Sequence, residues 1–326
     1  MTSIKNKVLF IGIGFYDYDK IIKKEIEKLG YKVDYYKETE ELTGFSRFKK
    51  KYSKSNNGLF VNKSDYIAEE CSNDYKIIFS IKCCHLTNRA LERIKHKNPD
   101  AKFILYLWDS LERIENIKSK LNYFHKIYSF DRFDCIENQN LVLKPLFYRK
   151  EFEKMGSENN FTFDIFHLGW FHSDRLTIIW KINKFCKKNN INQKLILFTG
   201  LFNFFKLIVN NAIARKMYNS FIFKPLSFKD NIALIQKSKI ILDINHPQQT
   251  GLTMRTIEIL ATGRKLITTN KDIINYDFYN SSNILIIDRD NPNLQLDFFL
   301  LESDEEDLKN LKKYRLDNWL KSMFDI

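Results

Sequence analysis

Four groups with chemical potential crowd one helix start in "HPQQTGLTMRTIEILATGRKLITTN" (246–270): Gly251, Thr253, Arg255 and Glu258. The segment reads as strand end, turn, helix, glycine and strand. A plain βαβ unit needs none of these groups, whereas a site for a phosphate and a sugar can use all four. A helix beginning near Gly251 offers unpaired amides, and the backbone over Gly251, Leu252 and Thr253 can approach a diphosphate closely because Gly251 has no side chain. Glu258 stands one i,i+3 step from Arg255. Its carboxylate can accept two hydrogen bonds from a ribose diol, while Arg255 holds either Glu258 or a phosphate. A surface Arg–Glu pair on an amphipathic helix fits the same spacing.

Other strand-end loops carry further candidates. In "HLGWFHSDR" (167–175), Gly169 leaves room for a ligand and Ser173 or Asp174 can cap the next helix. Arg175 falls in the first helical turn, where a cation is disfavoured unless an anion is close. A phosphate contact and a salt bridge with Asp174 both account for it. Gly200 in "FTG" (198–200) and Lys224 in "FKPLS" (223–227) occupy equivalent loops, expected to wall a nucleotide pocket, the second with backbone contacts to the base. His85 and His246 follow strands and either touch a ligand or stand in solvent. Asp109 in "YLWDS" ends a buried strand, where it suits a base for an acceptor hydroxyl or the N-cap of the following helix. Asp131 in "SFDRFD" is a second candidate for catalysis. Gly12 and Gly14 of "FIGIGF" lack the third glycine of a dinucleotide fingerprint, so they are read as room for an acceptor.

The elements that must position these residues follow from the apolar pattern. Strand-like runs at 7–13, 31–36, 75–81, 101–109, 126–130 and 141–147 are followed by six more at 163–169, 194–200, 221–227, 239–245, 265–270 and 283–288. Helical patterns separate them; in "DKIIKKEIEKLG" (19–30), Ile21, Ile22, Ile26 and Leu29 share a face and Gly30 closes it. Alternation at this spacing predicts doubly wound α/β folding with parallel sheets. Two Rossmann-like domains facing a cleft are expected: 1–155, and 156–303 with the loops named above. The polar stretch 148–162 joins them, and a last helix within 304–326 packs back on the first. Ligands in such folds bind beyond the carboxyl ends of the strands.

Composition sets the outer limits. Hydrophobic content of 44% builds real cores and excludes global disorder. No run of about 18 uncharged apolar residues predicts a transmembrane helix. "MTSIKNKVLFIGIGF" has a basic start, but "FYDYDK" follows it with no small-residue cleavage site, so a first strand is expected and no signal peptide. The cysteines at 71, 83, 84, 135 and 186 form no CxxC pair, fit a reducing cytoplasm and give no metal pattern; adjacent Cys83 and Cys84 read as loop or strand-end residues. A net charge of +13 suits anionic partners. The basic loop "RFKKKYSKSNN" (47–57) reads as solvated. The stretch "LFNFFKLIVNNAIARKMY" (201–218) reads as a core helix or as one resting on anionic lipid.

"GLTMRTIEILATGRKLITTN" resembles the donor segment of GT-B glycosyltransferases, and more closely the branch of spore-maturation-type and lipopolysaccharide or capsule biosynthesis enzymes. The branch pattern G-x-x-x-R-x-x-E-x-x-A-x-G is met by Gly251, Arg255, Glu258, Ala261 and Gly263. "FILYLWDSLERI" (103–114), "IYSFDRFD" (127–134), "LKPLFY" (143–148), "HLGWFHSDR" and the closing "YRLDNWLKSMF" are similar to it too, so the likeness spans nearly the whole chain. It implies metal-independent hexosyl transfer from a nucleotide-diphosphate sugar to a glycan or lipid-linked glycan acceptor. The reaction would run in the cytoplasm, at the inner face of the plasma membrane, with no cofactor beyond the sugar nucleotide. Glu258 would bind the ribose and the 251–253 backbone the diphosphate. Retaining enzymes of this fold place a second glutamate eight positions earlier, where this chain has Thr250. Two rivals remain: a two-lobed scaffold that kept the fold without turnover, and a nucleic-acid binder favoured only by charge and lacking any motif for that role.

Overall fold

Parallel strands covered by helices on both faces read as continuous apolar runs rather than alternating ones. "KVLFIG" is such a run, with Val8, Leu9, Phe10 and Ile11 all fully buried. A computed structural model of the chain describes residues 6–14, 17–38, 63–153, 160–300 and 308–326. It divides into two units, Met1–Pro145 with Leu316–Ile326, and Leu146–Arg315.

The first unit holds β1 (Lys7–Gly12), β2 (Lys32–Lys37), β3 (Ile77–Ile81), β4 (Lys102–Leu107), β5 (Lys126–Ser129) and β6 (Leu141–Leu143). They form one parallel sheet in the order β2-β1-β3-β4-β5-β6. Its helices are α1 (Tyr18–Lys28), α2 (Lys63–Glu70), α3 (Asn88–Lys97) and α4 (Arg132–Glu137). On α1, Ile22 and Ile26 are buried one turn apart, and Gly30 at φ +90° turns the chain into β2.

The second unit holds β7 (Phe163–Trp170), β8 (Gln193–Phe198), β9 (Phe221–Ile222), β10 (Ser238–Asp243), β11 (Lys265–Thr268) and β12 (Ile284–Ile286). The parallel order is β12-β11-β10-β7-β8-β9. Counted within the unit from the β9 edge, this is the 3-2-1-4-5-6 arrangement of doubly wound nucleotide-binding sheets. Its helices are α5 (Arg175–Lys188), α6 (Leu201–Asn210), α7 (Ala212–Lys216), α8 (Phe228–Gln236), α9 (Met254–Ala261), α10 (Leu296–Leu300) and α11 (Leu308–Leu311). The last helix, α12 (Leu316–Phe324), belongs to the first unit.

Several elements differ from the sequence expectation for physical reasons. The units divide after Pro145 rather than near 155, because Tyr148 and Phe152 are buried in the second unit's core. The expected terminal helix is interrupted: a single-turn 3-10 segment, Lys312–Tyr314, is followed by extended Arg315, which pairs with Tyr148 as an isolated bridge. Strand β9 has two residues instead of seven, since Pro225 cannot donate to a ladder. The 201–218 stretch is not a core helix. Asn211 splits it by capping α7 through the amides of Ile213 and Ala214, and no residue of α6 is buried. The basic loop 47–57 lies outside the described residues.

Helix α12 is fastened to the first unit by aromatic packing. Trp319 is fully buried, its Nε1 donates to the Pro145 carbonyl at 2.9 Å, and its ring meets that of Tyr106 edge-on at 4.7 Å. Phe324 packs edge-on against Phe79 at 5.6 Å. Trp319→Ala should therefore cost about 3–5 kcal/mol. Thermal unfolding should show a melting temperature lower by several degrees; an unchanged value would mean that α12 does not stabilise this unit.

Candidate functional site

A doubly wound sheet opens a crevice where the strand order reverses, at the carboxyl ends of the two strands there. In the second unit these are β7 and β10. Strand β10 ends in Asp243, a buried carboxylate at the end of an apolar run. Its Oδ2 accepts the hydroxyls of Thr253 at 2.6 Å and Thr256 at 2.8 Å, which ties the start of α9 to the strand it follows. Thr253 is the N-cap, and its Oγ1 accepts the Thr256 amide at 3.2 Å. The helix thus begins three residues after the expected start at Gly251, because the Thr253 cap sets it there.

The loop between them is fastened from the neighbouring strand ends. Asn245 Nδ2 donates to the Gln249 carbonyl at 2.8 Å, and Asn270 Nδ2 to the Thr250 carbonyl at 2.9 Å. Gly251 and Leu252 are buried under this loop and Thr253 is half-buried. A helix start leaves its first amides without intrahelical acceptors. The cap satisfies that of Thr256 and not those of Met254 and Arg255. Arg255 is half-buried, and its Nη1 is buried with no partner among the described residues. Glu258, one turn further, is only 7% exposed. The plain surface-pair reading of these two residues does not hold, since Glu258 lies inside the unit.

The β7 side has a different construction from the one expected. Arg175 is buried, donating from Nη1 to the Trp170 carbonyl at 2.7 Å and from Nη2 to the Ile244 carbonyl. Its hydrogen-bonding face is thus directed to the backbone of both switch-point strands. Burial lowers its pKa to about 10, and Arg255 and Arg289 push the same way against Asp243, so it remains a cation at neutral pH. A Cβ on Gly169 would lie 2.9 Å from both Arg175 Nη1 and His167 Nε2. This glycine therefore makes room for the protein's own side chains, not for a ligand. Asp174 does not pair with Arg175. It takes a two-pronged bond from Arg289, at 3.0 Å from Nε and 2.7 Å from Nη2, which holds its carboxyl below the usual range. Arg289 Nη1 also donates to Asn245 Oδ1 and Thr269 Oγ1, both at 3.0 Å.

The remaining candidates border this edge in different ways. His246 is half-buried, with its ring 5.3 Å from that of His172. Burial and Arg175 lower the His172 pKa to about 4, so it is neutral at physiological pH. Gly200 precedes α6 with nothing within 4 Å of a built Cβ, leaving open space there. Lys224 is exposed. Asp243, Asn245, Asn270 and Arg289 escaped the sequence reading. The signal was present, in that "DIN", "TTN" and "DRD" each put polar residues at the end of a buried strand.

In the first unit the order reverses between β1 and β3. Lys82 follows β3 with φ +70°, and its Nζ pairs with Asp109 Oδ2 at 2.5 Å. Asp109 is not the helix cap, since Ser110 holds that position ahead of the 3-10 turn Leu111–Arg113. Asp131 is buried and caps α4 through the Phe133 amide at 3.0 Å, and it also accepts from Ser110 Oγ at 2.8 Å. Asp131 thus holds the backbone in place. Glu38 is buried and accepts from the His85 amide at 3.1 Å; burial raises its pKa to about 6. His85 itself is exposed.

Compared with protein-family models and with curated proteins, the chain matches none. Solved structures do share its fold across its length. A glycosyltransferase from Rickettsia africae ESF-5 has 13% identity over 99% of this chain and 98% of its own, with a TM-score of 0.63. Anabaena Alr3699/HepE, solved with UDP and glucose, has 9% identity over 98% and 99%, with a TM-score of 0.61. The lipopolysaccharide outer core galactosyltransferase WaaB has 13% identity over 98% and 99%, with a TM-score of 0.57. A UDP-GlcNAc 2-epimerase from Neisseria meningitidis, bound to UDP-GlcNAc, shares the fold at 10% identity over 98% of both chains and a TM-score of 0.52. The architecture is that of GT-B proteins: two six-stranded parallel sheets with flanking helices.

The neutral ring beneath the β7 end gives the site a pH dependence. His167 is buried, and its Nδ1 lies 2.8 Å from the Leu242 carbonyl, to which it donates; its Nε2 has no partner among the described residues. Burial, then Arg175, lowers its pKa from 6.5 to about 3. The unfolded chain therefore binds this proton more readily. The stabilisation is complete above pH 6.5 and is lost as pH falls from there toward 3. Melting temperatures should fall between neutral pH and about pH 5. His167→Gln, which keeps a donor for Leu242, should flatten that decline; an unchanged slope would show that His167 is not its source.

Proposed function

We propose that the chain is a glycosyltransferase of hexosyl type that moves a sugar from a nucleotide-diphosphate sugar to a surface-glycan acceptor. One observation carries the reading. At the switch point of a nucleotide-binding sheet order, a single helix start presents buried Glu258 one turn from Arg255, whose buried Nη1 lacks a partner among the described residues. A sugar nucleotide matches that pair: a ribose diol for the carboxylate and a diphosphate for the guanidinium and first-turn amides. The likeness to a solved protein holding UDP and glucose supports the donor class. The likeness to a lipopolysaccharide galactosyltransferase supports a glycan acceptor of that kind.

In this reading Glu258 accepts the ribose hydroxyls. Arg255 and the amides over Gly251, Leu252 and Thr253 stabilise the leaving diphosphate, work that needs no bound metal ion. Arg175 acts from behind, fixing Gly169 and the β7 loop, while Gly200, Lys224 and His246 border the nucleotide. The acceptor oxygen attacks the anomeric carbon as its bond to the diphosphate breaks. The hydroxyl proton goes to Asp109, whose Oδ2 Lys82 orients. Asp131 is the next carboxylate to consider. Thr250, in place of a glutamate, favours a second reading in which the protein binds the donor without turning it over.

Calorimetry with UDP, GDP, ADP, TDP and CMP should find one that binds; binding by none would sink the donor site. Glu258→Ala should remove charge-assisted hydrogen bonds of about 1.5–3 kcal/mol, lowering affinity about tenfold or more. A fall in melting temperature with affinity unchanged would make Glu258 structural instead.

Asp109→Asn separates the enzyme from the binder. With a donor sugar and a glycan acceptor, transfer should drop by about 10² to 10⁴ while donor affinity survives. Transfer at the wild-type rate would dismiss Asp109 as the base, and donor binding by the wild type without any transfer would favour the binder.

A further inference from the structure

Helix α6 has two apolar faces, and only one of them is used by the fold. Phe204 and Leu207 pack on the second unit's core, with the Phe204 ring 5.3 Å from Phe221 and 4.8 Å from Phe223. On the other side Leu201 is 55% exposed, Phe202 83%, Phe205 66% and Val209 74%. At about 100° per residue these four fall within an arc of about 100°. Such a stripe normally faces a core. Here it faces outward on a helix none of whose residues is buried. Tyr218 and Phe223, further along the chain, are exposed aromatics as well.

The stretch of chain that carries this face has charge of one sign. Residues 175–229 contain eleven Lys and Arg and not one Asp or Glu. They run from α5 through β9, the edge strand of the sheet, and include α6 and α7. Lys206, Lys216 and Lys229 are exposed. Arg215 closes α6 by donating to the Ile208 and Val209 carbonyls at 2.9 and 3.0 Å, so the apolar face ends at a fixed cation. Exposed Phe, Leu and Val on a stretch of chain rich in lysine and free of acids match the acyl–headgroup boundary of an anionic bilayer. No described helix is long and apolar enough to cross a membrane.

We infer that α6 is a membrane-docking helix: Leu201, Phe202, Phe205 and Val209 enter the interface of an anionic lipid surface while the surrounding lysines engage its headgroups. This surface begins beside Gly200 but includes none of the residues assigned to the donor, and it holds whether or not the proposed transfer occurs.

Co-sedimentation with vesicles, without any nucleotide, tests it. The protein should pellet with vesicles of equal parts phosphatidylglycerol and phosphatidylcholine, less so at high salt, and not with phosphatidylcholine alone. The triple variant Phe202→Ser, Phe205→Ser, Val209→Ser should bind at least about tenfold more weakly at an unchanged melting temperature. Lys206→Glu, Lys216→Glu and Lys229→Glu together should weaken binding and reduce its salt dependence. Equal binding to neutral vesicles, or a triple variant that binds like the wild type, would overturn the inference. So would self-association, seen by sedimentation velocity, that the triple variant abolishes in a protein that ignores vesicles; the face would then belong to a second copy.

Discussion

Arg175 fastens the ends of β7 and β10, and the site in the second unit is arranged around that buried cation. Its two Nη groups donate to the Trp170 and Ile244 carbonyls, joining the loops that leave the switch-point strands. A guanidinium this deep excludes other groups and demands compensation. Gly169 must lack a Cβ, and His167 stays neutral because the nearby charge and burial both oppose a second cation. Asp243 supplies opposite charge, and the same carboxylate holds the start of α9 through two threonine hydroxyls.

Arg175 sits among charges of both signs, Arg255 and Arg289 against Asp243 and Asp174. Asp174 is engaged by Arg289, and Asp243 by Thr253 and Thr256. Arg175 faces backbone carbonyls. Among the described residues, Arg255 Nη1 is buried without a partner in the first turn of α9. Buried Glu258 stands on the same helix, one turn further along.

The same unit shows how one apolar pattern can serve two purposes. The alternation that packs Phe204 and Leu207 inward leaves Leu201, Phe202, Phe205 and Val209 outward, a cost the fold itself does not require. The excess of basic residues is likewise not spread evenly. An acid-free stretch of the chain, beginning at Arg175 in the crevice, passes through that helix and carries positive charge along it.

The sequence alone determined where the strands lie and the type of fold. Each of the twelve apolar runs became a strand, because parallel strands covered on both faces carry an unbroken apolar signal that local reading detects. The Arg-x-x-Glu helix was visible for the same reason, as a fixed spacing within one turn. Tertiary structure alone decided what those residues face. Arg175 meets a carbonyl 69 positions away and Arg289 an aspartate 115 positions away, distances over which no local pattern carries information. Gly169 looked like space for a ligand until the chain folded Arg175 and His167 into it. Asp109 read as a base or a cap until Ser110 took the cap and β3 brought Lys82 to its side. Backbone propensity and burial are properties of neighbouring residues, whereas the partner of a buried charge is set by which strand ends the sheet order brings together.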